Sequence, residues 1–265
     1  MTTATTVEER ILLRSDSNGI ATLTLNRPKQ YNALSEELLT ELQAALRDIE
    51  KDETVRVLVI AGNGPAFCAG HDLKQMRATP RKAYYDQLFA QCSDVMKSIT
   101  RLPQPVIARV HGIATAAGCQ LVAQCDLAIA SDQAKFAVSG INVGLFCSTP
   151  SVPLARNVLR KQAMEMLLTG DFIDADTAVE RGLINRAVPA DRLDAAVNEL
   201  ARKIIAKSSV AVSTGKKMFY RQLEMGMEGA YQYAAEVMAC NMMAEDVGEG
   251  IDAFAQKRAP VWKGK

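Results

Sequence analysis

Short β-branched apolar runs alternate with stretches of helical periodicity along most of this chain, and that alternation narrows the folds open to it. GIATLTLN (19–26) alternates apolar and polar positions as a strand does. Ser35 reads as the cap of a helix, SEELLTELQAALRDIEKD, with Glu36 and Glu37 in its positive first turn. VRVLVIAG (55–62) is β-branched and ends in Gly, the pattern of a buried strand. Helical spacing returns at 82–101, then PVIARVHG (105–112) and CDLAIAS (125–131) read as strands with helix over 116–124 between them. Residues 161–186 read as helix, the loop TGDFIDADTA, helix and a short strand, and from about Asp191 the pattern is almost wholly helical. Such alternation predicts a mostly parallel sheet, or a right-handed spiral of ββα units.

The 265 residues, 48% hydrophobic, supply one large core. A net charge of +1 gives no global field for nucleic acid or an anionic membrane, so any anion site is built from a few local groups. Cys68, Cys92, Cys119, Cys125, Cys147 and Cys240 form no C-x-x-C pair and no zinc spacing, which predicts reduced core thiols and no metal. No apolar run is long enough to span a bilayer. MTTATTVEERILL lacks a basic segment followed by an apolar run, so no secretory leader is expected; a cytoplasmic protein is expected, with a mature organelle-matrix form left open. The Met-rich segment over 218–246 reads as helix packing.

Two small-residue turns carry the chemical interest. In 63-NGPAFCAGHDLKQM-76 a strand runs into a helix, so the N–H groups at Gly70, His71 and Asp72 sit near a helix N-terminus, where unpaired donors favour negative charge. The turn 112-GIATAAGCQ-120 repeats the arrangement, and Ala114, Ala116, Ala117 and Gly118 allow close approach by a ligand. If the turns face each other, two N–H groups converge on a carbonyl oxygen that gains charge during reaction. Other glycine-loop chemistries are absent: there is no P-loop, G-x-G-x-x-G or G-x-S-x-G. His71 and His111 are the only histidines, and His111, between an apolar strand and Gly112, reads as a packed histidine.

With these turns in place, the chain resembles the enoyl-CoA hydratase/isomerase (crotonase) family over nearly its whole length. LNRPKQYNALSEEL, AFCAGHDLKQM, GCQLVAQCDLAIAS, AMEMLLTGDFIDADTAVERGLINRAVP and EGIDAFAQKRAPVW occur in the family's order. The resemblance implies an α/β fold: a crotonase-like spiral of ββα units over 1–195, and a C-terminal helical oligomerisation region over 196–265. It implies a homotrimer or dimer of trimers that takes an acyl-CoA thioester, with coenzyme A as part of the substrate and no tightly bound cofactor. The oxyanion-hole N–H groups fall on His71 and Ala117, the latter standing where the family usually has Gly. The family's CoA contacts match Lys29, Gln30 and Tyr31, then Ala69, Asp72 and Leu73; Arg27, Lys29 and Lys74 offer positive charge to the phosphates. Phe254 and Lys257 match positions that close the CoA site, often from a neighbouring subunit.

The resemblance breaks at the catalytic acids. A family hydratase uses two glutamates to activate water and protonate the α-carbon. The first position reads Gln120, which can orient water but accepts no proton at neutral pH. The second falls on Gly140 in FAVSGINVGLF, and no carboxylate occurs between Asp132 and Glu165. Each such group is typically worth ~10²–10⁴-fold in rate, so both losses point away from efficient hydration. LFCSTPS (145–151) replaces a glycine-rich loop; Ser148 matches the aspartate nucleophile of a dehalogenase branch. C-S-T-P also reads as a plain helix start with Ser or Thr as cap before Pro150. Three readings follow: an acyl-CoA enzyme that keeps the oxyanion hole, as a hydratase, isomerase, hydrolase or decarboxylase; a catalytically weak acyl-CoA-binding oligomer; and a scaffold built on the C-terminal helices.

Overall fold

The computed structural model describes residues 10–265; most of the N-terminal stretch read for a leader lies outside them. A hairpin opens the fold, β1 (Leu12–Ser17) antiparallel to β2 (Ile20–Leu25). Helix α1 (Glu36–Glu50) follows, capped as expected by the Ser35 side chain, which accepts the Leu38 N–H at 3.3 Å. It buries Leu38, Leu39, Leu42, Leu46 and Ile49 along one stripe, at helical spacing.

The chain then turns three times in the same sense. The first turn runs β3 (Val57–Gly62), β4 (Ala66–Cys68), α2 (Leu73–Ala78) and α3 (Lys82–Arg101). The second runs β5 (Val106–Val110), β6 (Ile113–Thr115) and α4 (Ala117–Gln124). The third runs β7 (Leu127–Ser131), β8 (Lys135–Ala137), a 3-10 turn over Ser139–Val143, α5 (Ser148–Asn157) and α6 (Arg160–Thr169). Each turn lays one strand in each of two sheets, through corners of two or three residues at 63–65, 111–112 and 132–134. The first sheet has the order β1-β2-β3-β5-β7-β10, where β10 is Arg186–Val188, and is parallel from β2 onward. The second has the order β4-β6-β8-β9, with β9 (Ile173–Asp174) antiparallel at its edge before α7 (Ala175–Glu180). This is a spiral of ββα units.

The large sheet is covered on both faces, which explains the unbroken apolar run of β3. Leu58 and Ile60 face the main core with α1. Val57 and Val59, with Ile107 and Ile129, face Leu193, Val197 and Ala201 of α8 (Leu193–Ile205). The division expected at 195/196 therefore falls inside a helix that belongs to the core. Helix α4 is the innermost element, buried from Ala117 to Ala123.

Helices α9 (Ser209–Gln222), α10 (Met227–Met242) and α11 (Glu245–Ala255) complete the chain. A buried ion pair ties α9 to the core. Lys216 Nζ lies 2.6 Å from Asp126 Oδ2 and also donates to the carbonyls of Ile99 and Gln104, while the Tyr220 hydroxyl donates to Asp126 Oδ1 at 2.8 Å. The methionines expected to pack here divide: Met218 and Met225 are half-buried, whereas Met227, Met238, Met242 and Met243 are exposed. Helices α9 and α10 pack on each other, and among the described residues nothing covers these four side chains.

Candidate active site

Gly70 holds φ +91°, and a β-carbon there would lie 2.8 Å from Ala116 Cβ and 3.1 Å from the Ala117 nitrogen. The two small-residue turns are thus in van der Waals contact. The first is pinned by Leu34, whose N–H donates to the Gly70 carbonyl at 2.7 Å and whose carbonyl accepts the Asp72 N–H at 3.2 Å. In that bridge both bonds belong to Leu34, so the N–H of His71 points to the other side of the strand. The second turn enters α4 through Ala116, at φ +51° and ψ −121°, whose N–H is taken by the Ala137 carbonyl. Ala117 is then the first residue of α4, where an N–H has no intrahelical acceptor. Neither the His71 nor the Ala117 N–H donates to an acceptor among the described residues.

Gly118 sets how closely α4 approaches β4. A β-carbon on it would lie 2.0 Å from the Cys68 carbonyl oxygen, so no other residue fits without moving backbone. Thr115 Oγ1 and Ser139 Oγ share a hydrogen bond of 2.7 Å, tying β6 to the 3-10 turn.

Between these elements lies a cavity of about 190 Å³. One side is formed by Ala69, His71, Leu73, Met76 and Phe89, its floor by Ala116 and Ala117, and the other side by residues of the segment from Ser139 to Pro150. Among the described residues no Asp, Glu, Lys or Arg lines it. The titratable side chains of this lining are His71 and Cys147, and neither is charged at neutral pH. Burial pulls the His71 imidazole down to about 4, against a weaker pull from the Leu34 carbonyl. Both ring nitrogens are buried without a hydrogen-bond partner, and the ring meets Phe89 edge-on at 5.4 Å. Burial likewise pushes the Cys147 thiol up, though the Gly140 N–H donates to its sulfur at 3.3 Å.

Of the five residues singled out for chemistry, four line this cavity: His71, Ala117, Gly140 and Ser148. Gln120 is not among the lining residues. It is 4% exposed within α4, and its Oε1 is buried without a partner. Ser148 is exposed and its hydroxyl donates only to the Phe146 carbonyl, at 3.4 Å; no acid or base is bonded to it. It opens α5 at the first helical position. The cap expected of Ser or Thr falls instead on Cys147, which makes no side-chain capping bond, because the chain enters the helix one residue earlier than the C-S-T-P spacing suggests. His111 is packed as expected, with Nε2 2.8 Å from the Gly64 carbonyl oxygen and burial lowering its pKa.

The residues matched to CoA contacts fall into two groups. Lys29, Gln30, Tyr31, Leu73 and Lys74 are exposed and, with half-buried Ala69 and Asp72, follow the edge formed by the 28–31 turn and the start of α2. The Ala69 N–H donates to the Tyr31 carbonyl at 3.0 Å, which holds the two segments together. Arg27, expected to offer charge to phosphate, is engaged within the chain: its guanidinium pairs with Asp72 at 3.1 Å and donates to the Ala33 carbonyl. Asp72 caps α2 by accepting the N–H groups of Lys74 and Gln75, and these bonds with Arg27 hold its pKa below the usual carboxylate range despite burial. Phe254, 86% exposed at the end of α11, and Lys257, in the turn after it, are not among the residues lining the cavity of their own chain.

Sequence reasoning missed Asn32, which is wholly buried; its side chain accepts from the Arg27 N–H and donates to the carbonyls of Asn63 and Ala66, shaping the edge beside the cavity. An Asn beside Ala in NAL was the only signal for it. It also missed the apolar lining, Met76, Phe89, Val143, Leu145 and Phe146, which no local pattern distinguishes from ordinary core.

Comparison with known proteins agrees with the geometry. The family model described as enoyl-CoA hydratase/isomerase matches residues 15–265. The mitochondrial enoyl-CoA hydratase domain-containing protein 3 of Rattus norvegicus is 44% identical over 255 residues, covering 96% of this chain and 85% of that protein. The mitochondrial enoyl-CoA hydratase of Pongo abelii is 33% identical over 251 residues, covering 94% and 86%. Among solved structures, an enoyl-CoA hydratase from Mycobacterium smegmatis superposes with a TM-score of 0.95 at 58% identity, covering 96% of this chain and 99% of that one. Human enoyl coenzyme A hydratase domain-containing protein 3 gives 0.93 at 45% identity, covering 96% and 100%. In sequence and in its ββα spiral, this chain belongs to the enoyl-CoA hydratase/isomerase family.

Proposed function

We propose that this protein binds an acyl-CoA thioester and polarises its carbonyl between the N–H groups of His71 and Ala117, stabilising a thioester enolate or a tetrahedral anion. The observation that carries this reading is the contact between the two turns, which brings two residues whose N–H groups have no acceptor among the described residues into the lining of one cavity. Backbone donors held in place before reaction stabilise developing negative charge without reorganisation, and removing one such donor typically costs ~10²–10³-fold in rate. The CoA moiety follows the edge from Lys29 to Lys74, with the two lysines as its exposed cations. Phe254 and Lys257 close that edge from a neighbouring copy in a trimer or dimer of trimers, which also covers the exposed faces of α9 and α10.

Hydration of an enoyl thioester is slow in this reading. The cavity contains no carboxylate, His71 stays neutral, and Cys147 stays a thiol. The test is the loss of the conjugated enoyl absorbance of crotonyl-CoA, run beside a hydratase that has both glutamates, with calorimetric titration of butyryl-CoA. Binding with hydration at least ~10²-fold slower than the reference is expected, the lower bound for loss of one acid–base group. Hydration at the reference rate overturns the catalytic part, and absence of binding overturns the whole.

A further inference from the structure

Four large apolar side chains both line the cavity and face solvent: Leu73 is 56% exposed, Val143 65%, Leu145 46% and Phe146 39%. Three of them come from a single segment. It is closed on itself by the Gly144 N–H to Ile141 carbonyl and Leu145 N–H to Gly140 carbonyl bonds, each 3.0 Å, and by the bond from the Gly140 N–H to the Cys147 sulfur. It is backed by Gly170, where an added β-carbon would lie 2.7 Å from Ile141 Cγ2. The segment is therefore a formed wall whose apolar side chains stand at the rim of an apolar cavity, and apolar surface left exposed at a pocket mouth marks the place of an apolar ligand.

Resting on the acyl-CoA reading above, we propose that this wall selects the acyl group: the cavity takes a medium-length or longer aliphatic acyl chain, whose distal methylenes cover Val143, Leu145 and Phe146. A thioester seated at His71 and Ala117 on the floor with a four-carbon acyl group leaves the rim wet. A longer chain removes both surfaces from water. The same lining rejects acyl groups that end in a carboxylate. With no Lys or Arg on the wall and His71 neutral, a buried carboxylate has no partner, and an unpaired buried charge is strongly unfavourable.

Calorimetric titration of the full-length protein with butyryl-, octanoyl- and succinyl-CoA tests this, together with Val143→Asp and Val143→Ala at the most exposed rim position. Octanoyl-CoA is expected to bind about 10-fold or more tighter than butyryl-CoA, a modest fraction of what four buried methylenes supply. Succinyl-CoA is expected to bind about 10-fold or more weaker than butyryl-CoA, for want of a partner to its carboxylate. Val143→Asp should shrink the octanoyl-to-butyryl ratio and Val143→Ala should shrink it less. Equal affinities for octanoyl- and butyryl-CoA, or succinyl-CoA binding as well as butyryl-CoA, overturn the proposal while leaving acyl-CoA binding standing. A change in sedimentation mass with Val143→Asp, with no change in the ratio, means that a second copy covers the rim and also overturns it. Failure of all three thioesters to bind removes the underlying function itself.

Discussion

The N–H of Gly140 donates to the thiol sulfur of Cys147 at 3.3 Å, and a β-carbon on Gly140 would stand 2.8 Å from that sulfur and 2.6 Å from the Leu145 carbonyl oxygen. The position that the family resemblance matches to a second glutamate is therefore closed by the turn that follows it. Restoring the acid means displacing that turn. Gly140→Glu should cost about 1–3 kcal/mol of stability, as overpacking does. The double variant Gln120→Glu/Gly140→Glu should stay far below a family hydratase on crotonyl-CoA. Urea midpoints and the enoyl absorbance assay measure the two effects, and hydration near the reference rate would show that the turn yields.

Gly118→Ala should be worse tolerated than any of the exposed alanine-for-glycine changes, such as Gly229→Ala on α10. The new methyl meets the Cys68 carbonyl at 2.0 Å, whereas nothing lies within 4 Å of the β-carbon site at Gly229. A loss of about 3 kcal/mol or more at Gly118, against a neutral or slightly stabilising change at Gly229, is expected from overpacking and helix propensity. Denaturant melts of both variants decide it; equal midpoints would mean that α4 shifts freely against β4.

Stability should fall with acidification through His71. Its folded pKa of about 4 lies below the ordinary 6.5, so between these values the unfolded chain binds a proton that the folded chain refuses. The favourable contribution is complete above about pH 6.5 and is lost as pH falls towards 4, up to roughly 3 kcal/mol for a shift of this size. His71→Phe should flatten the pH dependence of the unfolding free energy between pH 7 and 4.5 relative to the parent. Parallel curves for the two proteins would place the ring in water.

Lys216→Met should destabilise by about 3–5 kcal/mol, because it leaves the Asp126 carboxylate buried without its cation. Asp126 would keep only the Val106 N–H and the Tyr220 hydroxyl. Adding Asp126→Asn to Lys216→Met should recover part of the loss, since an amide needs no counter-charge. Thermal unfolding of the two single variants and the double variant reads the coupling, and strict additivity would dissolve the pair.

Much of this architecture was legible because periodicity records burial. The run at 55–62, apolar on both faces, told of a strand covered by α1 on one side and α8 on the other, and Ser35 announced its helix through a side-chain bond that is local in sequence. The second sheet was not legible from pattern. Its strands, Ala66–Cys68, Ile113–Thr115, Lys135–Ala137 and Ile173–Asp174, have two or three residues each, too few for an alternation to declare itself. The two N–H turns could be read one at a time, but their contact spans more than forty residues and exists only through the spiral. Arg27 and Asp72 were read separately as ligand contacts, and the ion pair that joins them leaves no mark on either segment, because the two residues are 45 apart. The exposed methionines of α10 misled in the opposite direction, since helical spacing of apolar residues states that a face is to be covered without stating by what.

The three corners at 63–65, 111–112 and 132–134 act as fixed gauges in this chain. Each hands the backbone from one sheet to the other in two or three residues, so one residue added there would have to be bulged out between two strands that are already paired. The long returns from Ala69 to Pro105 and from Val138 to Phe172 pass outside the sheets and carry no such obligation. Length changes are therefore taken up most easily on the returns, and those same stretches supply both side walls of the cavity. Its frame is rigid in residue count, and its binding wall is the part free to be rewritten.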